Sequence, residues 1–502
     1  MAKDTSKTSL VLLLMRVVQM ALNIVTISLT AKFFGITMER DMWVYTNTLI
    51  LTTIGMFWGP INEVFRAKFI FIKEDTDEKT ALQCTSSLFG FVILTAIVIG
   101  LLMLIFSPNL SDFLISDANA KDVFWKILVL LIPTLLIRET TLLLTGLLNA
   151  YNIFYIPEYA NIVSGFINIG LLVLLAPFIG IYALLVSCYL SLVILLVAVI
   201  YFVKRENINI IKGCYKLRSI YILPFLTFSL PLYFPYFIGQ FNEIVQNGLA
   251  EFLGSGTISV LNYSKQFPII VQGIMSSVIA TVMMPILAKA FKQNNQKEYV
   301  QLLNENILLY MAIYGLFACV AIGAASPMCR VLFQYGKMTF EDVDRVISLT
   351  RMFTAAFGGV VLYLIFSISL LTTGRNQVYA FIGAFTQIIV LLTNVLLIKK
   401  VGVIVFPLSY GIAHLFTALI MFYTLRIEGK SLVAVGICRC LLCIAIATFA
   451  FYFANELSCS LSLFLQIITN IVLALIFIPL MLMSMGIDVR KFILYIHSKE
   501  RA

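Results

Sequence analysis

Across its 502 residues the chain is 61% hydrophobic and 12% charged, and 35 Lys and Arg against 25 Asp and Glu leave a net charge of +10. Its mean hydropathy is +0.99, a balance that no soluble globular protein of this length shows. The longest polar interruptions, KEDTDEKT (73–80) and KRENINIIKGCYKLRS (204–219), fall far short of the ~50 residues a soluble domain needs, which excludes an extramembrane enzyme domain.

The expected fold is an all-α polytopic membrane protein. Apolar runs of roughly 20 residues, long enough at ~1.5 Å per residue to cross a core of ~30 Å, predict about fourteen spans: 8–31, 42–65, 82–106, 123–149, 157–178, 181–203, 220–250, 257–288, 304–326, 343–372, 377–398, 403–425, 432–454 and 461–484. The first run is too long for a signal-peptide core and ends in AKFFG without a cleavage site, so it is expected to be a retained helix. An even number of spans puts both termini on one side. That side holds Lys3 and Lys7, the loops at 66–79, 204–218 and 289–297, the sparser loops near 375 and 426–430, and the tail with Arg490, Lys491, Lys499 and Arg501. It carries about 21 cations against about 9 opposite, which predicts cytoplasmic termini. Anionic lipid headgroups account for the basic balance, and no nucleic-acid partner is needed.

Two stretches, 147–175 and 370–398, each place a short polar hinge between two spans, with Asn152 and Tyr155 in register with Asn376 and Tyr379 about 224 residues later. This hints at an internal duplication: a six-helix lobe over 1–218, a second over 219–430, and two further helices with a basic tail over 431–502.

Charged groups inside spans are expensive and mark function or pairing. Arg16 lies in the first span, either snorkelling to the headgroups or lining a cavity, and Asn23, seven residues on, shares its face. Arg138 and Glu139 follow Pro133, which should kink the fourth span; neighbours in sequence diverge by about 100° and need not pair. In the seventh span Gln240, Glu243 and Asn247 form a polar stripe that should face water or protein. Lys265 near the start of the eighth span is either an interfacial anchor or a cavity residue, and Arg351 and Arg439 read as interfacial. The nine cysteines show neither zinc spacing nor a disulfide framework, Cys440 and Cys443 form the one CxxC, and two histidines, His414 and His497, make a His-based metal or nucleophile site untenable. No cofactor is expected. The cations that enter the spans suit an anionic solute that is bound and released without bond chemistry.

FFGITMERD (33–41), GLLNAYNIFYIP (146–157), GTISVLNYSKQFPIIVQGIMSSVIATVMMPILAKAF (256–291) and VLFQYGKMT (331–339) resemble, in order along the chain, the MurJ (MviN) family of lipid II flippases. The resemblance implies a fourteen-helix exporter fold of the multidrug/oligosaccharidyl-lipid/polysaccharide type, with two six-helix lobes alternating about a cationic cavity and helices 13 and 14 helping to form a groove for a polyprenyl tail. Its substrate would be an undecaprenyl-diphosphate-linked glycan, handled by a monomer that can meet cell-wall or glycan-synthesis proteins. A diphosphate would supply the charge that compensates Arg16.

The chain departs from the family where specificity would be read. The family's first-helix arginine is matched by Arg16, but Leu22 and Asn23 stand where an Arg-Asp pair is expected, and Ile54 and Gly55 where the second helix would carry two arginines. In the eighth span Ser264, Lys265 and Gln266 are the candidates for an acid-arginine pair. Substrate binding is therefore expected from Arg16, Asn23, Arg138, Gln240, Glu243, Asn247 and Lys265, with Asp41 and Glu243 as acids for possible Na⁺ or H⁺ coupling. A lipid-linked O-antigen or capsule glycan is the alternative cargo. A cation-drug antiporter would want carboxylates in place of these arginines, and a non-transporting scaffold would use the same charges as structural ion pairs.

Overall fold

The structure, a computed structural model, describes residues 2–485 except 209, 211–215, 280–282, 294, 426, 428, 429 and 458–461. Cys214, Cys459, His497, Lys212, Arg426 and the tail cations Arg490, Lys491, Lys499 and Arg501 lie outside the described residues, as do the side chains of Lys3 and Lys7. The chain divides into two compact units, Met1–Ser259 with Tyr335–Met338, and Val260–Gln334 with Thr339–Ala502. The packing thus divides at Ser259 where the hydropathy reading divides at 218.

The first unit holds α1 (Ala2–Phe34), α2 (Met38–Phe57), α3 (Gly59–Asp75), α4 (Glu78–Ile105), a short α5 (Ser107–Leu114), α6 (Ala118–Leu131), α7 (Thr134–Ala150), α8 (Tyr155–Ile179), α9 (Tyr182–Arg205) and α10 (Ser219–Phe252). Helix α10 belongs here because it packs on α2, α3 and α4, where Phe225 is fully buried and stacks on Phe65 with ring centroids 5.5 Å apart. Tyr45 of α2 meets Phe124 of α6 edge-on at 5.5 Å. The second predicted span is broken at Trp58, where Pro60 opens α3 and the Trp58 Nε1 donates to Thr95 Oγ1 at 3.1 Å. Asp77 caps α4: the Thr80 backbone N–H on its carboxylate holds that group below the usual range.

The second unit holds the rest of α11 (Thr257–Val278), α12 (Met284–Lys292), α13 (Gln296–Ala318) running into a π turn at Cys319–Gly323, α14 (Ala325–Phe333), α15 (Phe340–Thr372), α16 (Asn376–Val401), a 3-10 turn at Gly402–Ile404, α17 (Val405–Thr424), α18 (Lys430–Leu457) and α19 (Leu463–Ser484). Its core gathers Tyr310, Tyr314, Phe357, Phe366 and Cys440 from α13, α15 and α18. Lipid tails are as apolar as leucine, so helix pairing in a bilayer leans on close packing and hydrogen bonds. Here Thr386 bonds Thr417 at 3.0 Å and Ser409 bonds Asn394 at 2.6 Å, both between α16 and α17. His414 is held between the Tyr363 and Tyr410 rings with Nδ1 2.8 Å from the Tyr410 carbonyl oxygen.

Among the described residues each of the fourteen predicted runs falls largely on helix, but ten stretches are long and apolar enough to cross a bilayer, or eleven if α6 and α7 form one broken span. Helices α16 and α17 form one continuous stretch, Asn376–Thr424, the pair α2–α3 over the second predicted span is not among those that qualify, and the eighth predicted span includes residues 280–282, which lie outside the described residues. The bend between α6 and α7 is 43°, at the position expected of Pro133, which lacks the N–H that an uninterrupted helix needs.

The two hinges have the same backbone. Asn152, at φ 62°, donates to the Asn149 carbonyl and Ile153 reaches back to Leu148; Gly374, at φ 75°, donates to Leu371 and Arg375 reaches back to Leu370. These are matching Schellman-type turns ending α7 and α15. They align Asn152 with Gly374, two residues short of the register suggested by Asn376.

Replacing Phe225 by alanine should destabilise the first unit by about 3 kcal/mol or more, since its stacked partner Phe65 would face a cavity, whereas Phe113→Ala, at an 86% exposed site, should be close to neutral. Thermal unfolding of the two variants in one detergent measures the difference.

Candidate functional site

Three segments far apart in sequence meet in the first unit: the end of α1 with the start of α2, residues 256–259, and the turn 335–338. Thr37 caps α2 by accepting from the Arg40 N–H. One turn in, Asp41 is 2% exposed, and both its oxygens are engaged. Oδ2 accepts from the Gly256 N–H, and Oδ1 from the Ser259 N–H at 2.7 Å and the Ser259 hydroxyl at 2.5 Å. A carboxylate thereby satisfies N–H groups at the start of α11 that have no intrahelical acceptor, as a helix cap does, from 215 residues away. Asp41, expected as an ion-coupling acid, is committed to these donors.

The turn 335–338 lies against the end of α1, where Lys337 N–H donates to the Lys32 carbonyl at 2.9 Å. Gly336 takes φ +71°, and a Cβ there would stand 2.2 Å from that same carbonyl oxygen, so no side chain fits. Parts of three of the four stretches that carry the family resemblance, Phe33–Asp41, Gly256–Ser259 and Tyr335–Lys337, therefore meet in one joint.

The candidate binding residues are spread along other faces of the first unit. Arg16 is 52% exposed with Nε 3.7 Å from Glu158 Oε1. Gln19 holds the same carboxylate, donating to Glu158 Oε2 at 2.7 Å and to the Glu158 carbonyl at 3.0 Å. Asn23 is exposed, whereas Leu22 is buried and packs against Gly165 of α8. Arg138 Nη2 donates to Asn47 Oδ1 and approaches Cys188 Sγ, each at 3.3 Å, while its buried Nε has no partner. Glu139 turns away to Asn62, so Arg138 and Glu139 do not pair. On α10, Glu243 is exposed and Gln240 and Asn247 are half-buried. Gln240 occupies the room left by Gly55: a Cβ on that glycine would fall 2.5 Å from the Gln240 Cδ.

In the second unit, Lys265 Nζ lies over the Phe353 ring at 5.6 Å. Arg351 pairs with Glu456 at 3.2 Å and stacks on Tyr452, and Arg439 Nε donates to the Ser484 carbonyl. No group of three or more His, Cys, Asp or Glu that could hold a metal ion occurs among the described residues, and the seven described cysteines are free thiols.

Gln19, Asn47, Asn62, Glu158 and Ser259 were not singled out from sequence. Gln19 had a readable signal, since it lies three residues after Arg16 on the same helical face. The others become visible only when distant helices meet.

Asp41→Ala should cost about 2 kcal/mol or more, because it strands two backbone donors and a hydroxyl at once, and Asp41→Asn, which keeps an acceptor oxygen, should cost less. Gly336→Ala should be at least as damaging as Asp41→Asn, adding a backbone clash to a left-handed residue. Thermal unfolding and membrane-inserted protein level measure both orderings.

A family profile described as lipid II flippase MurJ matches residues 30–487. The lipid II flippase MurJ of Burkholderia cenocepacia is 23% identical over 319 residues, and the match spans 62% of this chain and 62% of that relative, just under two thirds of its length. A probable lipid II flippase MurJ of Buchnera aphidicola subsp. Acyrthosiphon pisum is 23% identical over 68% of each chain. Among solved structures, a lipid II flippase MurJ in an inward closed conformation superposes with a TM-score of 0.78 at 18% identity, covering 95% of this chain and 99% of that one. An inward-facing multidrug resistance MATE family transporter of the MOP superfamily gives 0.67 at 12% identity, covering 84% and 96%. The profile match runs from within α1 to the end of α19 and includes all three segments of the Asp41 joint, and on that evidence the chain belongs to the MurJ family.

Proposed function

We propose that this protein is a flippase that carries a polyprenyl-diphosphate-linked saccharide, lipid II or a similar cell-wall precursor, from the inner to the outer leaflet by alternating access. The family match over residues 30–487 is the observation that carries this reading. The chemistry fits: Arg16 is a half-exposed guanidinium beside Glu158, and Arg138 keeps an unpartnered Nε. Both offer charge-assisted donors to a diphosphate. Asn23, Gln240, Glu243, Asn247 and Lys265 complete the proposed binding set, with roles for the saccharide in the amides. Both termini are cytoplasmic on the distribution of Lys and Arg, and the protein works as a monomer in the bacterial inner membrane. Outward movement of an anionic headgroup gains about 2.3 kcal/mol per charge per 100 mV of inside-negative potential.

A second reading, a different lipid-linked glycan such as an O-antigen or capsule precursor, is favoured by one feature. Leu22 and Gly55 stand where the family resemblance leads one to expect cations, and both places are filled, Leu22 against α8 and Gly55 by Gln240. The cationic lining is therefore thinner than in a family member with all its arginines.

Complementation of a lipid II flippase depletion strain separates the two. Wild type should rescue growth, Arg16→Ala at equal protein level should not, and Arg16→Lys should recover only part of the function because it keeps charge without the planar fork. Absence of rescue by well-expressed wild type would point to the other glycan. Rescue by Arg16→Ala would remove Arg16 from headgroup binding.

A further inference from the structure

One polar group in the first unit has no part in the headgroup chemistry. Glu139 on α7 is 1% exposed. Its Oε2 accepts from Asn62 Nδ2 of α3 at 3.2 Å, and its Oε1 is buried without a hydrogen-bond partner. The adjoining Arg138 points to Asn47 and Cys188. No charged or titratable side chain on the elements packed against α7 pairs with Glu139, including Arg40 and Asp41 on α2, Glu63 and Arg66 on α3, Cys84 on α4 and Cys188 on α9. A lone ionised carboxylate in such a place is among the most costly groups a protein can hold, so it is kept neutral or accompanied by a cation.

The partner residue fits a proton. Asn62 Oδ1 is also buried and unpartnered. An amide serves either form of a carboxyl group: with Nδ2 forward it donates to the ionised group, and turned over it presents Oδ1 to a protonated one. Turning the Asn62 amide puts Oδ1 where Nδ2 now stands, within hydrogen-bond distance of Glu139 Oε2. One carboxylate and one amide oxygen are a thin shell for a metal cation, which takes about six oxygens.

We propose that Glu139 is a proton-carrying site of the first unit and that Asn62 is the positioning residue that reads its state. With α3 and α7 packed as here, the carboxyl holds its proton on Oε2, and the O–H donates to Asn62 Oδ1. When that packing opens to water, the proton leaves to solvent, the carboxylate remains, and Asn62 turns to donate. Proton occupancy thereby favours the packed arrangement of α3 on α7. The transport consequence, a proton-sensitive conformational cycle, rests on the flippase reading; the proton site itself does not.

The test uses the full-length protein in nanodiscs without substrate. Thermal stability is followed from mildly acidic to alkaline pH in choline chloride and in sodium chloride, alongside the infrared carbonyl stretch of protonated carboxyl groups. Wild type should lose stability as pH rises and should show a carboxylic-acid band that titrates over the same range. Glu139→Gln, which mimics the neutral form, should lack both the band and the pH-linked loss, and Asn62→Leu should shift the frequency of the band. Identical pH profiles for wild type and Glu139→Gln would overturn the proposal. So would a sodium-dependent stabilisation at constant pH that Glu139→Gln abolishes, which would make this a metal cation site. Should Glu139→Gln not fold, a wild-type band that Asn62→Leu leaves unmoved would equally overturn it. None of these readouts depends on lipid II, so a failed complementation leaves them intact.

Discussion

A polar group inside a bilayer has no water to turn to, and it must find its partner within the protein. In a chain that is 61% hydrophobic, apolar contact alone does little to choose which helix lies beside which, because lipid satisfies apolar surface equally well. The choice falls to the few buried polar side chains. Asp41 gathers the start of α11, Asn62 and Glu139 join α3 to α7, Asn47 and Arg138 join α2 to α7, and the Thr386–Thr417 and Asn394–Ser409 bonds hold α16 to α17. Each such contact ties two elements that hydropathy treats as interchangeable.

The same constraint divides structural from functional polarity. Asp41 is fully satisfied by two N–H groups and a hydroxyl, which suits a joint that keeps its geometry. Arg138 is incompletely satisfied, by two contacts to neutral groups with its buried Nε left over. Donors left partly unmet in a nonaqueous setting are what an anionic ligand can complete. Three of the four motifs that carry the family resemblance contribute to the joint, while Leu22 and Gly55 are packed against Gly165 and Gln240.

Much of the helical plan was legible from residue order. Span positions follow from apolar length, the 43° bend from the missing N–H of Pro133, and the two matched hinges from a local polar pattern, although their true alignment, Asn152 on Gly374, depends on which residue takes the left-handed conformation. The extent of the first unit was not legible. Helix α10 looks like the start of a second half by hydropathy, and its packing on α2, α3 and α4, with Phe225 stacked on Phe65, places it with the first. Nor were the partners of Asp41, because an acid beside a glycine turn looks the same whether it meets an ion or a helix end.

Sequence by itself determined what is local and what is chemical: an all-helical, multi-pass membrane protein, its approximate helix positions, the bend at Pro133, its charge asymmetry and its family. Tertiary structure alone decided which charge meets which partner. The separation between Arg16 and Glu158, Asn62 and Glu139, or Asp41 and Ser259 runs from 77 to 218 residues. A helix keeps its period whatever lies beside it, whereas the partner of a buried polar group is set by side-chain packing between helices, and no short-range pattern encodes that.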